Sequence, residues 1–187
     1  EAALPASLRK ITLVKELKHY GVEAVDESAI DDEHKEAKLG YKGTKLGHNN
    51  VTTLRVYQEQ AVKDISDKNS VVVMPTGSGK TLVAAECLKI RLSKVCSSKK
   101  GLFLVPTCDL VSQQAEVLND WTKLRAKEFM GGRAIPPISE FDILVSTPDA
   151  FRKLQMRQQS FAWSLFSICI FDEVHHVLKD HPYRHLA

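Results

Sequence analysis

The sequence is poor in the features that mark membrane proteins, secreted scaffolds and metal frameworks. It has no apolar run of the roughly 18 residues that a spanning helix needs, and no signal-peptide pattern. Only four cysteines are present, at positions 87, 96, 108 and 169, and none forms C-x-x-C or a Cys/His spacing suited to zinc. They read as buried or incidental thiols of a reducing compartment, the cytoplasm or nucleus. Charge of one sign is also scarce: the formal net charge is +3, too small to establish a nucleic-acid partner by itself. No internal repeat is visible. The first residue is Glu1 rather than Met, so a fragment or processed product is expected.

What remains is an ordinary globular composition, 43% hydrophobic and 26% charged over 187 residues. That length suits one domain with a core plus an appendage. Leu4, Leu8, Ile11, Val14, Leu17 and Tyr20 recur in steps of three and four, which predicts an amphipathic packing helix over residues 1–20. The character then changes. Asp26, Glu27, Asp31, Asp32 and Glu33 are followed by Lys35, Lys38, Lys42 and Lys45, with Gly40, Gly43 and Gly47. Such a stretch buries little and is expected to be a mobile linker. A boundary near Asn50 divides an N-terminal helix and linker, 1–50, from a core domain, 51–187.

The core domain is organised around Met74-Pro-Thr-Gly-Ser-Gly-Lys-Thr81. Val71, Val72 and Val73 precede it as a β-branched strand, and Leu82–Leu92 follows at helical spacing. Strand, glycine-rich loop and helix are the context of a phosphate-binding loop. Gly77 and Gly79 let the backbone turn and approach a ligand, and the helix start favours anions. Lys80 adds a positive charge for the terminal phosphates, and Thr81 a hydroxyl for Mg²⁺. The strict G-x-x-x-x-G-K-[ST] pattern has Gly where this chain has Met74.

Upstream, Tyr57, Ala61, Val62 and Ile65 suggest a helix that carries Gln58. An amide offers a donor and an acceptor, matching the N6 and N7 edge of adenine. Downstream, three apolar strands are expected: Leu102–Val105, Ile143–Ser146 and Ile168–Phe171. Pro106-Thr107 follows the first, Thr147-Pro148-Asp149 the second, and Asp172-Glu173-Val174-His175-His176 the third. Strands alternating with helices imply an α/β fold with a parallel sheet. Each polar cluster lies at a strand's C-terminal end, where such sheets place ligands. Adjacent carboxylates after an apolar strand make a Walker B pattern: Asp172 to hold Mg²⁺ through water, Glu173 to orient and deprotonate an attacking water. Thr147-Pro148 also reads as a helix N-cap followed by Pro at N1. Lys123, Arg125, Lys127 and Arg133 read as a solvated face.

Together these residues resemble the first RecA-like ATPase domain of a superfamily 2 helicase. Leu54-Arg55-x-Tyr57-Gln58 is similar to the adenine-reading Q motif, Met74–Thr81 to motif I in its helicase form x-x-T-G-x-G-K-[ST], and Pro106-Thr107-x-x-Leu110-Val111-x-Gln113-Gln114 to motif Ia. Ser146-Thr147-Pro148 resembles the Thr-Pro motif, and Asp172-Glu173-Val174-His175 the Asp-Glu-x-His box. The five motifs cover residues 54–185, with nothing matched before Asn50. Asp172-Glu-Val-His-His followed by Asp180-His-Pro-Tyr-Arg184 is similar to the Dicer and RIG-I-like duplex-RNA ATPases, with Val174 where that group has Cys.

The resemblance implies a RecA-like domain with a mostly parallel sheet between helices, truncated at its C-terminus and extended by the N-terminal helix and linker. It implies ATP and Mg²⁺ as cofactors. Arg55 and Gln58 would meet adenine; Pro75, Thr76, Gly77, Ser78, Gly79, Lys80 and Thr81 would hold the phosphates; Thr81 and Asp172 would hold the metal. Lys80, Glu173 and His175 would form the catalytic set, with His175 coupling the two sites. Pro106, Thr107, Gln113, Thr147, Pro148 and Asp149 would grip nucleic acid, double-stranded RNA in the Dicer-like case. A further strand ending in motif III is implied between the Walker A and Walker B strands. Its absence would leave Val71–Val73 and Ile168–Phe171 without a shared neighbour. A second RecA-like domain with an arginine finger is implied as a partner, so the isolated chain is expected to be inactive. Rival readings are a DNA-repair translocase of the same superfamily, a non-hydrolysing ATP-gated RNA-binding module, and a nucleotide kinase. The last explains Gly77–Thr81 but not the Thr-Pro or Asp-Glu-x-His motifs.

Overall fold

The computed structural model describes residues 9–14, 53–65 and 68–173. In chain order these form β1 (Arg9–Val14), α1 (Val56–Ile65), β2 (Ser70–Val73), α2 (Lys80–Lys94), β3 (Lys100–Leu104), α3 (Cys108–Thr122), β4 (Ala126–Phe129), β5 (Ile143–Ser146), α4 (Pro148–Arg157) and β6 (Phe166–Phe171). The strands make one sheet in the order β2-β1-β6-β3-β5-β4. Every described pair is parallel. The expected α/β architecture is therefore present, and all strand C-termini share one edge of the sheet.

Alternation along the strands explains the two cores. Phe103 and Val105 of the β3 segment, and Ile168 and Ile170 of β6, join Val83, Leu88, Val111 and Leu118 of α2 and α3 on one face. Leu102, Leu104 and Cys169 turn to the other face, against Phe151 and Leu154 of α4 and the aromatic residues Phe141, Phe161 and Trp163. Phe151 meets Trp163 and Phe166 edge-on, at ring separations of 5.3 and 5.5 Å. Strands buried on both faces read as continuous apolar runs rather than alternating ones, as β3 and β6 do. Among the described residues no disulfide forms, and Cys87 and Cys169 are buried. Burial pushes the Cys87 thiol up to about 12, which keeps it protonated and inert.

The N-terminal expectation is corrected. Arg9–Val14 is a strand, not part of a helix. Its run Ile11-Thr12-Leu13-Val14 contains three β-branched residues, and pairing on both edges outweighs a weak helical periodicity. The remaining residues of 1–20, and the linker 21–50, lie outside the described residues. A second correction follows from the first. Val71–Val73 and Ile168–Phe171 do share a neighbour, because β1 lies between them, pairing Thr12 with Val71 on one side and with Phe171 on the other.

The basic residues Lys123, Arg125, Lys127 and Arg133 are all exposed, as a solvated face requires. Arg125 also makes a forked surface pair with Asp142, its Nε and Nη2 donating at 3.0 and 2.9 Å. That pairing and Lys100 hold the Asp142 carboxyl below the usual range, the Arg125 hydrogen bond contributing most. Ala126–Phe129 then forms an edge strand on β5 that charged Lys127 and Glu128 conceal in the sequence. No described helix is long and apolar enough to cross a membrane.

Candidate nucleotide and nucleic-acid sites

The phosphate loop begins where β2 ends. Gly77 and Gly79 have φ of +81° and +85°, the left-handed region that glycine enters freely. Gly79 caps α2, accepting backbone bonds from Leu82 N–H at 2.9 Å and Val83 N–H at 3.2 Å. The Ser78 hydroxyl donates to Pro75 O at 2.7 Å, closing the loop on itself. Lys80 is buried, and its ammonium donates to the carbonyls of Met74 at 3.0 Å and Pro75 at 3.3 Å.

Gln58 lies beneath this loop. It is buried, with Nε2 donating to Ser78 O at 2.8 Å and Oε1 accepting from Arg55 N–H at 2.9 Å. An amide nitrogen carries a second N–H and its oxygen a second lone pair, so both atoms keep capacity for a ligand. In the sequence Tyr57 reads as an apolar helix residue and as part of the Q-motif string, with no bonding role of its own. Its hydroxyl also donates to Ser78 O, at 2.9 Å, and accepts from Arg55 Nη1 at 3.3 Å. The signal was present in the Arg-x-Tyr-Gln string, but a phenol serving a loop so far along the chain has no periodicity to betray it.

Gly79 is required for space as well as for φ. A Cβ there would stand 2.3 Å from Gln58 Nε2. Gly79→Ala should therefore incur left-handed strain of about 1–2 kcal/mol and also lose the Gln58–Ser78 bond, worth about 1 kcal/mol. In a Gln58→Ala background only the strain should remain. Urea midpoints for the four proteins of this cycle measure the difference, and an equal cost of Gly79→Ala in both backgrounds would refute the steric account.

At the end of β6, Asp172 N–H donates to Leu104 O at 2.8 Å, so the ladder with β3 carries on to the carboxylate. Asp172 is buried, and its carboxyl is pushed up to about 6, first by burial and then by the charge of Glu173, with Lys80 opposing. Glu173 follows in left-handed conformation, φ 52°. Among the described residues no cluster of three His, Cys, Asp or Glu side chains forms a self-sufficient metal site. Mg²⁺ is commonly held by one or two carboxylates together with phosphate and water. The buried Asp172 carboxyl and the Thr81 hydroxyl in the first turn of α2 are hard-oxygen donors of that kind.

The expected nucleic-acid residues lie at the starts of α3 and α4 and, for Gln113, further along α3. Pro106 and Thr107 precede α3, and Gln113 is exposed on it. Thr147 caps α4, its hydroxyl accepting from Ala150 N–H at 3.4 Å, and Pro148 takes the first helical position. Because β3 and β5 are parallel neighbours, both helix N-termini rise from the same sheet edge. Asp149 does not present a bare carboxylate, for Lys153 at 2.6 Å and Arg152 at 3.4 Å pair with it. His175 lies outside the described residues, as do Val174 and the His181-Pro182-Tyr183 string.

Comparison with known proteins agrees with this geometry. The family model described as "Type III restriction enzyme, res subunit" matches residues 52–187. Endoribonuclease Dicer homolog 2b of Oryza sativa subsp. japonica is 33% identical over 144 residues, 71% of this chain and 10% of that protein. Endoribonuclease Dicer of Gallus gallus is 28% identical over 153 residues, covering 74% of this chain and 8% of its own. The chain thus spans about a tenth of these curated relatives. Among solved structures, the Pyrococcus furiosus Hef helicase domain aligns with a TM-score of 0.60 and 27% identity, over 71% of this chain and 28% of that one. The phosphate loop, the paired carboxylates and the family match together place this chain in the type III restriction enzyme res-subunit family, as an ATP-binding helicase domain of superfamily 2.

Proposed function

We propose that this domain binds Mg-ATP and belongs to an ATPase stimulated by nucleic acid, with double-stranded RNA as the activating ligand. The observation that carries the reading is electrostatic. The buried Lys80 at the start of α2 lies close enough to Asp172, just past the end of β6, for its charge to draw that carboxyl down, which supports a site shared by the two segments. Lys80 and the first turn of α2 would hold phosphates, Thr81 and Asp172 would hold the metal, and Glu173 would take a proton from water. The bound Mg²⁺ would neutralise charge developing on the transferred phosphate. Arg55 and Gln58 would select adenine through the amide's remaining donor and acceptor. The helix N-termini at Pro106-Thr107 and Thr147-Pro148 would receive strand phosphates. The preference for RNA is supported by the Dicer relatives.

Calorimetry with Mg-ATP and Mg-GTP tests the first half. ATP should bind more tightly, Gln58→Ala should erase the preference, and Lys80→Ala should weaken both nucleotides by about 10–100-fold, the worth of a charge-assisted bond. Equal affinity for the two nucleotides, untouched by Gln58→Ala, would defeat adenine reading. Hydrolysis with duplex RNA, duplex DNA or neither tests the second half. Stimulation by DNA alone would assign the site to a DNA translocase, and binding without turnover to an ATP-gated module.

A further inference from the structure

Ser78 stands between Gly77 and Gly79, both in the left-handed region at φ +81° and +85°. A residue flanked by two glycines is the least constrained part of a loop, because each neighbour leaves the chain free to swivel. Yet Ser78 is where the phosphate loop is gripped. Its N–H and its hydroxyl both turn back to Pro75 O, at 3.3 and 2.7 Å. Its carbonyl is held from outside the loop by two donors of α1, the Tyr57 hydroxyl at 2.9 Å and Gln58 Nε2 at 2.8 Å. A carbonyl oxygen has two lone pairs, so adjacent residues of one helix take both.

The two donors differ in what else they do. Gln58 is buried, and its amide is the adenine reader proposed above. Drawn to a base, it has to share or yield its hold on Ser78. Tyr57 is exposed, and α1 docks through Gln58, Val62 and Ile65, so the phenol hydroxyl is not needed to pack the helix. Arg55 Nη1 donates to that hydroxyl at 3.3 Å. With the phenol oxygen accepting from the guanidinium, its own proton is left for Ser78 O. A chain of two hydrogen bonds therefore runs from Arg55, expected at the base, to the middle of the phosphate loop.

We propose that Tyr57 is a positioning residue that holds the phosphate loop in its binding shape whatever base is present, while Gln58 reads the base. The inference deepens the ATP reading given above and rests on it for its functional half. The gain is preorganisation: a loop fixed before the phosphates arrive has less freedom to lose on binding. Sharing one carbonyl between two side chains makes the two tasks separable. When adenine draws the Gln58 amide, the Tyr57 bond keeps Ser78 in place. When Gln58 is removed, Tyr57 still tethers the loop. The part of the ligand that Tyr57 serves is accordingly the polyphosphate and not the nucleoside.

Tyr57→Phe keeps the ring and removes the donor. In the full chain with Mg²⁺ it should weaken ATP, GTP and inorganic tripolyphosphate by one common factor of about 3–10, the worth of a neutral hydrogen bond, and leave the ATP-to-GTP ratio at its parental value. Gln58→Ala should instead change the ratio. Hydrogen–deuterium exchange at the amides of residues 77–79 should quicken in nucleotide-free Tyr57→Phe. In a Gln58→Ala background, where Tyr57 alone of the two donors remains, Tyr57→Phe should cost more affinity than in the parent, and an equal cost would refute the shared carbonyl. A lowered melting temperature with unchanged tripolyphosphate affinity would reduce the hydroxyl to a structural group and overturn the proposal. So would a shifted ATP-to-GTP ratio, which would make Tyr57 a base reader. A parental chain that binds neither nucleotide nor tripolyphosphate would sink the ATP reading, and exchange at residues 77–79 would still decide whether Tyr57 holds the loop.

Discussion

Glu173→Gln is expected to bind Mg-ATP as tightly as the parent and to hydrolyse it about 10²–10⁴-fold more slowly. Glutamine keeps the size and hydrogen-bonding shape of glutamate but cannot accept a proton from water. On the proposed mechanism Glu173 makes its essential contribution only in the transition state, so kcat should fall while nucleotide affinity holds. The backbone supports a specialised role. Glu173 adopts φ 52°, a conformation uncommon for residues other than glycine, two residues past a strand buried from Phe166 to Ile170. Such strain persists where the surrounding structure over-determines it, and it concentrates at functional sites. The measurement is single-turnover hydrolysis in the protein as it occurs in the cell, alongside nucleotide affinity. A variant hydrolysing ATP at the parental rate would remove Glu173 from the mechanism. A variant losing affinity and rate together would make it a binding group.

How far the sequence carried this picture depended on whether the physics was local. Motif residues such as Gly77, Lys80, Thr147 and Asp172 sit within a few positions of the strand or helix that presents them, and their placement followed from that context. Thr147-Pro148 shows the strength of local signals, since cap and first helical residue appear as the string itself suggests. Non-local partners were illegible. Tyr57 finds Ser78 O only because α1 packs beneath the loop. Ala126–Phe129 becomes a strand only because β5 offers an edge. Arg9–Val14 misled for the same reason. Its apolar spacing fits a helix, and a gap in a sheet built from residues far along the chain decided otherwise. The resemblance implies a further strand, ending in motif III, between β2 and β6; in this structure Arg9–Val14 stands in that place.

Asp172→Asn is expected to raise the stability of the metal-free protein while abolishing Mg-dependent turnover. The ordinary expectation for a buried residue is the reverse. The reason lies in what moves its carboxyl from 3.8 to about 6: burial first, then the neighbouring Glu173 charge, with Lys80 working in the opposite direction. At pH 7 the native state therefore holds an anion in a place that disfavours it, at a cost on the order of 3 kcal/mol. That figure is already net of the attraction to Lys80, because the attraction is part of the displacement. Asparagine resembles the neutral acid and escapes the penalty, so melting in EDTA should rise by several degrees. The pH dependence has a definite sign. The folded state binds a proton at about 6 and the unfolded chain near 3.8, so parental stability should increase as pH falls from about 6 to about 4. Asp142 and Asp149, both held low by basic neighbours, contribute stability that is lost as pH falls below about 4, a separate window of opposite sign. Subtracting the Asp172→Asn profile from the parental one isolates the Asp172 contribution. A difference that does not shrink between pH 7 and pH 4, or a destabilised Asp172→Asn at pH 7, would mean that Lys80 rather than burial governs this carboxylate. Mg-ATP should invert the ranking, stabilising the parent and leaving the variant nearly unmoved, because the charge that is a liability in the empty fold is what the metal requires.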